Sequence, residues 1–218
     1  MAGDYTRQIP RRGFALAMAA TILMMAAASA PSLFYPQIAE RLELVPVATT
    51  FVFAVYTFTL LAALLYLGPL SDYIGRRPVV TAGSLALALS LAMFWFADSL
   101  ATLLVARALQ GLAAGLLIPA LSAMMIDFEP PSHPNIAALW NTIGPMIGLG
   151  TGALGAALLL DLTPEPTAAV FGLLVLAFLI VAATVWITPE LVPKTRLRRG
   201  DLRPRFTVPP HLRRMFTA

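Results

Sequence analysis

The chain contains no cysteine, which excludes disulfides, thiolate metal sites and cysteine nucleophiles. Charge is scarce as well: 12% of its 218 residues are Asp, Glu, Lys or Arg, against about 25% in an ordinary soluble domain. Too few charges remain to build a water-facing surface. Only two histidines occur, His133 and His211, and both fall in polar segments. Neither a haem between helices nor an intramembrane metal is therefore supported. Carboxylates are missing from the middle of every long apolar run, so no obvious carboxylate proton carrier is on offer. The sequence also lacks a Gly-x-Ser-x-Gly elbow, a His-Glu-x-x-His pair and a phosphate-cradling glycine loop followed by lysine. A six-span intramembrane protease needs a buried Ser–His or paired Asp set, and neither is found. Enzymatic chemistry, a bound cofactor and ATP-driven pumping have no residues to carry them.

What the chain has instead is apolar length. Fifty-nine per cent of its residues are hydrophobic, and the mean hydropathy is +0.80. Crossing about 30 Å of hydrocarbon takes roughly 20 helical residues. Six stretches are long enough, near 14–39, 47–70, 78–97, 100–126, 136–160 and 167–188. Turn chemistry separates them: Pro46, Gly75 with Pro78, Asp98-Ser99, Pro130-Pro131 with Pro134, and Pro164 with Pro166. Each interruption is short, so consecutive helices must run antiparallel. The fold class expected is an all-α integral membrane protein, a single six-helix bundle over 14–188 that treats the lipid bilayer as solvent.

The sequence pI near 10 suggests nucleic acid at first sight, but the basic residues sit at the ends and in loops. Such a distribution reads as membrane orientation rather than as a nucleic-acid surface. With the N-terminal segment 1–13 in the cytoplasm, Arg7, Arg11, Arg12, Arg76, Arg77 and all eight basic residues after position 190 lie inside. The outer loops then hold Arg41 against Glu40, Glu43, Asp98, Asp161 and Glu165. Both termini are expected in the cytoplasm and the protein in the plasma membrane. One loop breaks the rule: Asp127-Phe128-Glu129 should be cytoplasmic yet has no Lys or Arg beside it. Arg11-Arg12 followed by Ala28-Ser29-Ala30 imitates an export signal. The apolar run continues to Ala39, however, well past the roughly 7–15 residues of a signal core. It is read as a retained first span.

The run from Gly68 to Pro78 forms a charged hairpin between the second and third spans. Gly68 and Gly75 let two helix ends approach and turn, and Pro78 suits a first helical turn, where its missing N–H is not needed. Asp72 ends one helix where it can meet Arg76 or Arg77, or the positive end of another helix. Contacts of this kind can form in one global conformation and break in another. On charge alone, an ordinary basic topogenic turn explains the hairpin equally well. The spelling Gly68-x-Leu70-Ser71-Asp72-x-x-Gly75-Arg76-Arg77 closely resembles the signature between helices two and three of major facilitator superfamily transporters, departing from it only at Tyr73, where arginine is usual. That resemblance implies a gating latch formed by Gly68, Leu70, Asp72, Gly75, Arg76 and Arg77.

In the fourth span, Arg107, Gln110 and Gly111 share one face at i, i+3 and i+4. A charge inside a span normally faces a wet cavity or a partner. Alternatively, Arg107 lies about two turns from the outer end, close enough to snorkel to the interface. The spelling Arg-x-x-Gln-Gly resembles the fourth-helix motif of proton-coupled members of the family, which implies a place in coupling and the substrate cavity. The fifth span carries Gly144, Gly148, Gly152 and Ala156 on one face, a stripe that lets another helix approach closely. Gly144-Pro145-x-x-Gly148 also resembles the core of an efflux-type antiporter motif, with Leu149 where a second glycine is expected. Tyr35 beside Pro31 and Pro36 in the first span, Tyr56 in the second, and Trp140 with Asn141 at the start of the fifth are candidates to line a substrate path. Helix packing or an interfacial tryptophan would place them equally well.

The resemblance implies the N-terminal half of a secondary transporter, powered by an ion gradient and leaning to efflux of a small solute by antiport with protons. A second six-helix bundle would complete it, since such carriers hold substrate between two bundles. The basic segment 189–218 looks like the cytoplasmic linker that precedes a seventh helix. A truncated and transport-inactive six-helix protein, a regulatory subunit, or a homodimeric carrier are the alternatives.

Overall fold

The computed structural model describes residues 2–191, with side chains from Arg11 onward. From residue 192 on, the segment expected to be a linker lies outside the described residues. Helix α1 (Ala2–Ser29) passes through a 3₁₀ turn at Ala30–Phe34 into α2 (Tyr35–Arg41). There follow α3 (Pro46–Leu67), the short α4 (Leu70–Ile74), α5 (Arg76–Trp95), α6 (Leu100–Asp127), α7 (Ile136–Leu162) and α8 (Pro166–Thr184). Six helical segments among the described residues are long and apolar enough to cross a bilayer: Arg11–Arg41, Pro46–Leu67, Arg76–Trp95, Leu100–Asp127, Ile136–Leu162 and Pro166–Ile187. No strand occurs among the described residues.

Local chemistry explains where these helices begin. Pro46 and Pro166 open α3 and α8, where no N–H is needed. Ser99 caps α6, its hydroxyl oxygen accepting the Thr102 N–H at 3.2 Å. Glu129 caps α7 from the preceding loop, accepting the Ala137 N–H at 3.0 Å. The acidic loop that broke the charge rule thus supplies a helix cap.

In the bundle, α6 packs against α3, α5 and α1, while α1 also packs on α7 and α5 on α8. Two of these crossings depend on missing side chains. A Cβ on Gly111 would sit 2.4 Å from the Tyr56 carbonyl, and one on Gly115 would sit 2.4 Å from Ala63 Cβ, so α6 rides directly on the α3 backbone. On α7, a Cβ at Gly148 would lie 2.3 Å from the Ile22 carbonyl oxygen, and one at Gly152 would lie 2.4 Å from that of Ala26. Burial is uneven. The most apolar window of α6 is 56% buried within the bundle, whereas α3 buries 11% and α7 22%. The outer faces of those two spans must be covered by lipid or by more protein.

Candidate functional site

The charged hairpin folds around Gly75, whose φ of 101° lies in a region that side chains disfavour. A Cβ there would also strike Glu190 Oε2 at 2.7 Å. That carboxylate accepts both N–H groups at the start of α5, Arg76 N to Oε1 at 3.1 Å and Arg77 N to Oε2 at 3.0 Å. A negative group at a helix N-terminus satisfies orphan donors and meets the helix dipole. The Arg76 guanidinium gathers the remaining partners. Nη1 donates to Asp72 Oδ1 one turn earlier and to Ser71 Oγ at 2.7 Å, and Nε donates to Asp127 Oδ2 at 3.0 Å. The hairpin is therefore tied to the end of the fourth span by Asp127 and to the end of the sixth by Glu190.

Of the two arginines that Asp72 was expected to meet, it meets Arg76. Arg77 contributes its backbone N–H to Glu190, and its buried Nε has no partner. Leu70 is half-buried against the core. Gly68 is not a left-handed turn residue: its φ of −50° is right-handed helical, and it sits tight against the Leu64 carbonyl. Asp127 had a signal in the sequence, an acidic loop where basic residues belonged. Glu190 had none, because the chain does not say which helix end lies above the close of the sixth span.

Within the spans, Arg107 does not snorkel. It is 2% exposed and turned into the bundle. Nε donates to the Tyr35 hydroxyl at 2.5 Å and Nη1 to Gln110 Oε1 at 2.6 Å. Four rings surround the guanidinium carbon: Tyr35 and Phe94 at 5.0 Å, Phe53 at 5.3 Å and Tyr56 at 5.6 Å. Such contacts partly replace the water an arginine loses on burial. Nη2 is buried with no acceptor.

Gln110 carries the cluster on to the first span, its Nε2 donating to the Ala27 carbonyl at 2.9 Å. Ala27 lies four residues before Pro31, whose ring nitrogen has no proton to give it. The Gln110 amide therefore supplies the donor that the proline withholds. Gly111 makes no hydrogen bond in this cluster; it seats α6 on α3 against the Tyr56 carbonyl and Thr59.

Tyr35 and Tyr56 thus join Arg107, while Trp140 and Asn141 do not. Asn141 Oδ1 accepts from Ser122 Oγ at 2.9 Å across the α6–α7 contact, and Trp140 is half-buried against the core. Gly148 and Gly152 seat α7 on α1, where Ser29 Oγ also donates to the Leu149 carbonyl at 3.0 Å. Gly144 has ordinary room, its nearest neighbours 3.9 Å from a hypothetical Cβ, and Pro145 lies one residue further along the same helix. Phe53 and Phe94 were missed; a phenylalanine in an apolar span carries no mark of what it faces.

The sequence profile of the Major Facilitator Superfamily matches residues 16–217. The chain belongs to that superfamily. Its relatives include the multidrug efflux pump LfrA of Mycolicibacterium smegmatis, 32% identical over 204 residues, which cover 88% of this chain and 38% of the relative. The major facilitator superfamily multidrug transporter mfsB of Aspergillus fumigatus is 34% identical over 101 residues, 43% of this chain and 17% of its own length. The multidrug resistance protein MdtM of Escherichia coli K12 is 53% identical over 45 residues, 21% of this chain and 11% of its own. The chain thus spans well under half the length of these relatives. As a superfamily member with six apolar spans, it is a multi-pass membrane protein.

Proposed function

We propose that this chain forms the N-terminal six-helix half of a secondary active transporter that exports small amphipathic solutes in exchange for protons. It would sit in the plasma membrane with its N-terminal segment and the basic segment 189–218 in the cytoplasm. The observation that carries this reading is the enclosed Arg107, held to α1 through Tyr35 and Gln110 where Pro31 interrupts the first span. An expensive charge beside a broken helix is how transporters build midplane sites. The hairpin network around Arg76 supports a cytoplasmic latch, because its Arg76–Asp127 ion pair joins separate spans and can be exchanged for another when bundles rock. Export is favoured by LfrA, named a multidrug efflux pump, and MdtM, named a multidrug resistance protein.

The exposed faces of α3 and α7 favour a second bundle against this one, which would also bring the titratable group that proton coupling needs. An arginine is protonated at every physiological pH and cannot itself carry the exchanged proton. The test is efflux of a neutral fluorescent amphiphile, N-phenyl-1-naphthylamine, from cells expressing the full protein. Faster clearance than in vector-only cells is expected, abolished by a protonophore and reduced at least tenfold by Arg107→Gln. Clearance equal to that of vector-only cells would refute export, and clearance untouched by the protonophore would refute proton exchange.

A further inference from the structure

The box around Arg107 is incomplete in one specific way. A guanidinium presents five N–H donors in a planar fork. Here Nε and Nη1 are used, and Nη2 is buried and unpartnered. Among the described residues no carboxylate pairs with Arg107: Glu40 lies at the end of its span, Glu43 and Asp98 lie between spans, and the other described acidic residues lie at span ends or outside the spans. The wall towards α3 is thin: Phe53 is 42% exposed, Tyr56 is half-buried, and α3 is the least buried span. Moving one phenylalanine ring would open the box to whatever lies against that face.

Deepening the transport reading on which it rests, we infer that this box is a binding site for an anionic amphiphile, whose carboxylate-type oxygens pair with Arg107 Nη2 while its apolar body lies along the exposed side of Phe53 and Tyr56 on α3. A carboxylate satisfies the vacant donor and neutralises the buried charge together, and arginine is the side chain best shaped for it. A cation gains nothing from Nη2 and finds the ring faces already used by the guanidinium. Two like unit charges about 6 Å apart at an effective dielectric near 20 disfavour each other by roughly a hundredfold in binding constant. The charge of this half-site therefore selects against lipophilic cations.

The test uses two fluorescent probes that share an aromatic body and chain and differ in head group, 1-pyrenebutyrate and pyrenebutyltrimethylammonium. Dissociation constants are measured on the full protein in lipid nanodiscs, with empty discs subtracted. The butyrate should bind at least tenfold more tightly than the ammonium. Arg107→Gln should weaken the butyrate at least tenfold while leaving the ammonium unchanged or strengthened. Tighter binding of the ammonium by the unsubstituted protein overturns the inference without any variant having to fold. So does a substitution that shifts both probes in the same direction. Efflux lost while the probe order holds would sink the transport reading alone, whereas efflux intact with the order reversed would sink this inference alone.

Discussion

Gln110 and Pro31 sit on different helices, yet one answers a deficit created by the other. Proline leaves the Ala27 carbonyl without its helical donor, and the Gln110 amide fills it from 83 residues away in sequence. Gln110→Leu should cost at least about 2 kcal/mol, because it takes a partner from both the buried Ala27 carbonyl and Arg107 Nη1. In a Pro31→Ala background the helix regains its own donor at position 31. The same Gln110→Leu change should then cost about 1 kcal/mol less, measured by unfolding in detergent as a double-substitution cycle. Equal costs in both backgrounds would show that the contact is incidental. The Arg107 donor to Gln110 Oε1 is common to both backgrounds, so it cancels to first order.

At the scale of helices, the α1–α7 seam separates glycines that are required from one that is not. Gly148 leaves no room for a methyl group, while Gly144, one turn away on the same stripe, does. Gly148→Ala should therefore destabilise the bundle by about 1–3 kcal/mol through overpacking. Gly144→Ala should be neutral or stabilising by up to about 1 kcal/mol, since alanine is the better helix former. Thermal unfolding in detergent reads both, and equal effects would mean that the seam is not packed as described. The sequence shows the stripe but not this difference, because the i, i+4 spacing is identical and only the partner backbone distinguishes the positions. The spans were legible for a stronger reason: unbroken apolar length leaves a chain no alternative to a lipid interior. Arg107, Gln110 and the hairpin stood out because polar residues in such surroundings are costly. Their partners did not. Phe53 and Phe94 look like any lipid-facing phenylalanine, and Glu190 becomes a cap for α5 only once the third and sixth spans lie side by side.

For the whole molecule, the proposed topology has six spans alternating in direction, with the Arg76 network at the cytoplasmic end and the Arg41 end outside. That polarity would put the proposed latch on the cytoplasmic side. These 218 residues contain no cysteine, so a thiol introduced among them has no native neighbour within them to compete for label. Single-cysteine variants at Asp98 and Glu165, in the loops expected outside, and at Tyr73 and His133, in those expected inside, are treated in intact cells with a membrane-impermeant maleimide. Labelling at 98 and 165 with none at 73 and 133 until the cells are permeabilised is the predicted result; labelling of 73 or 133 in intact cells would contradict the account.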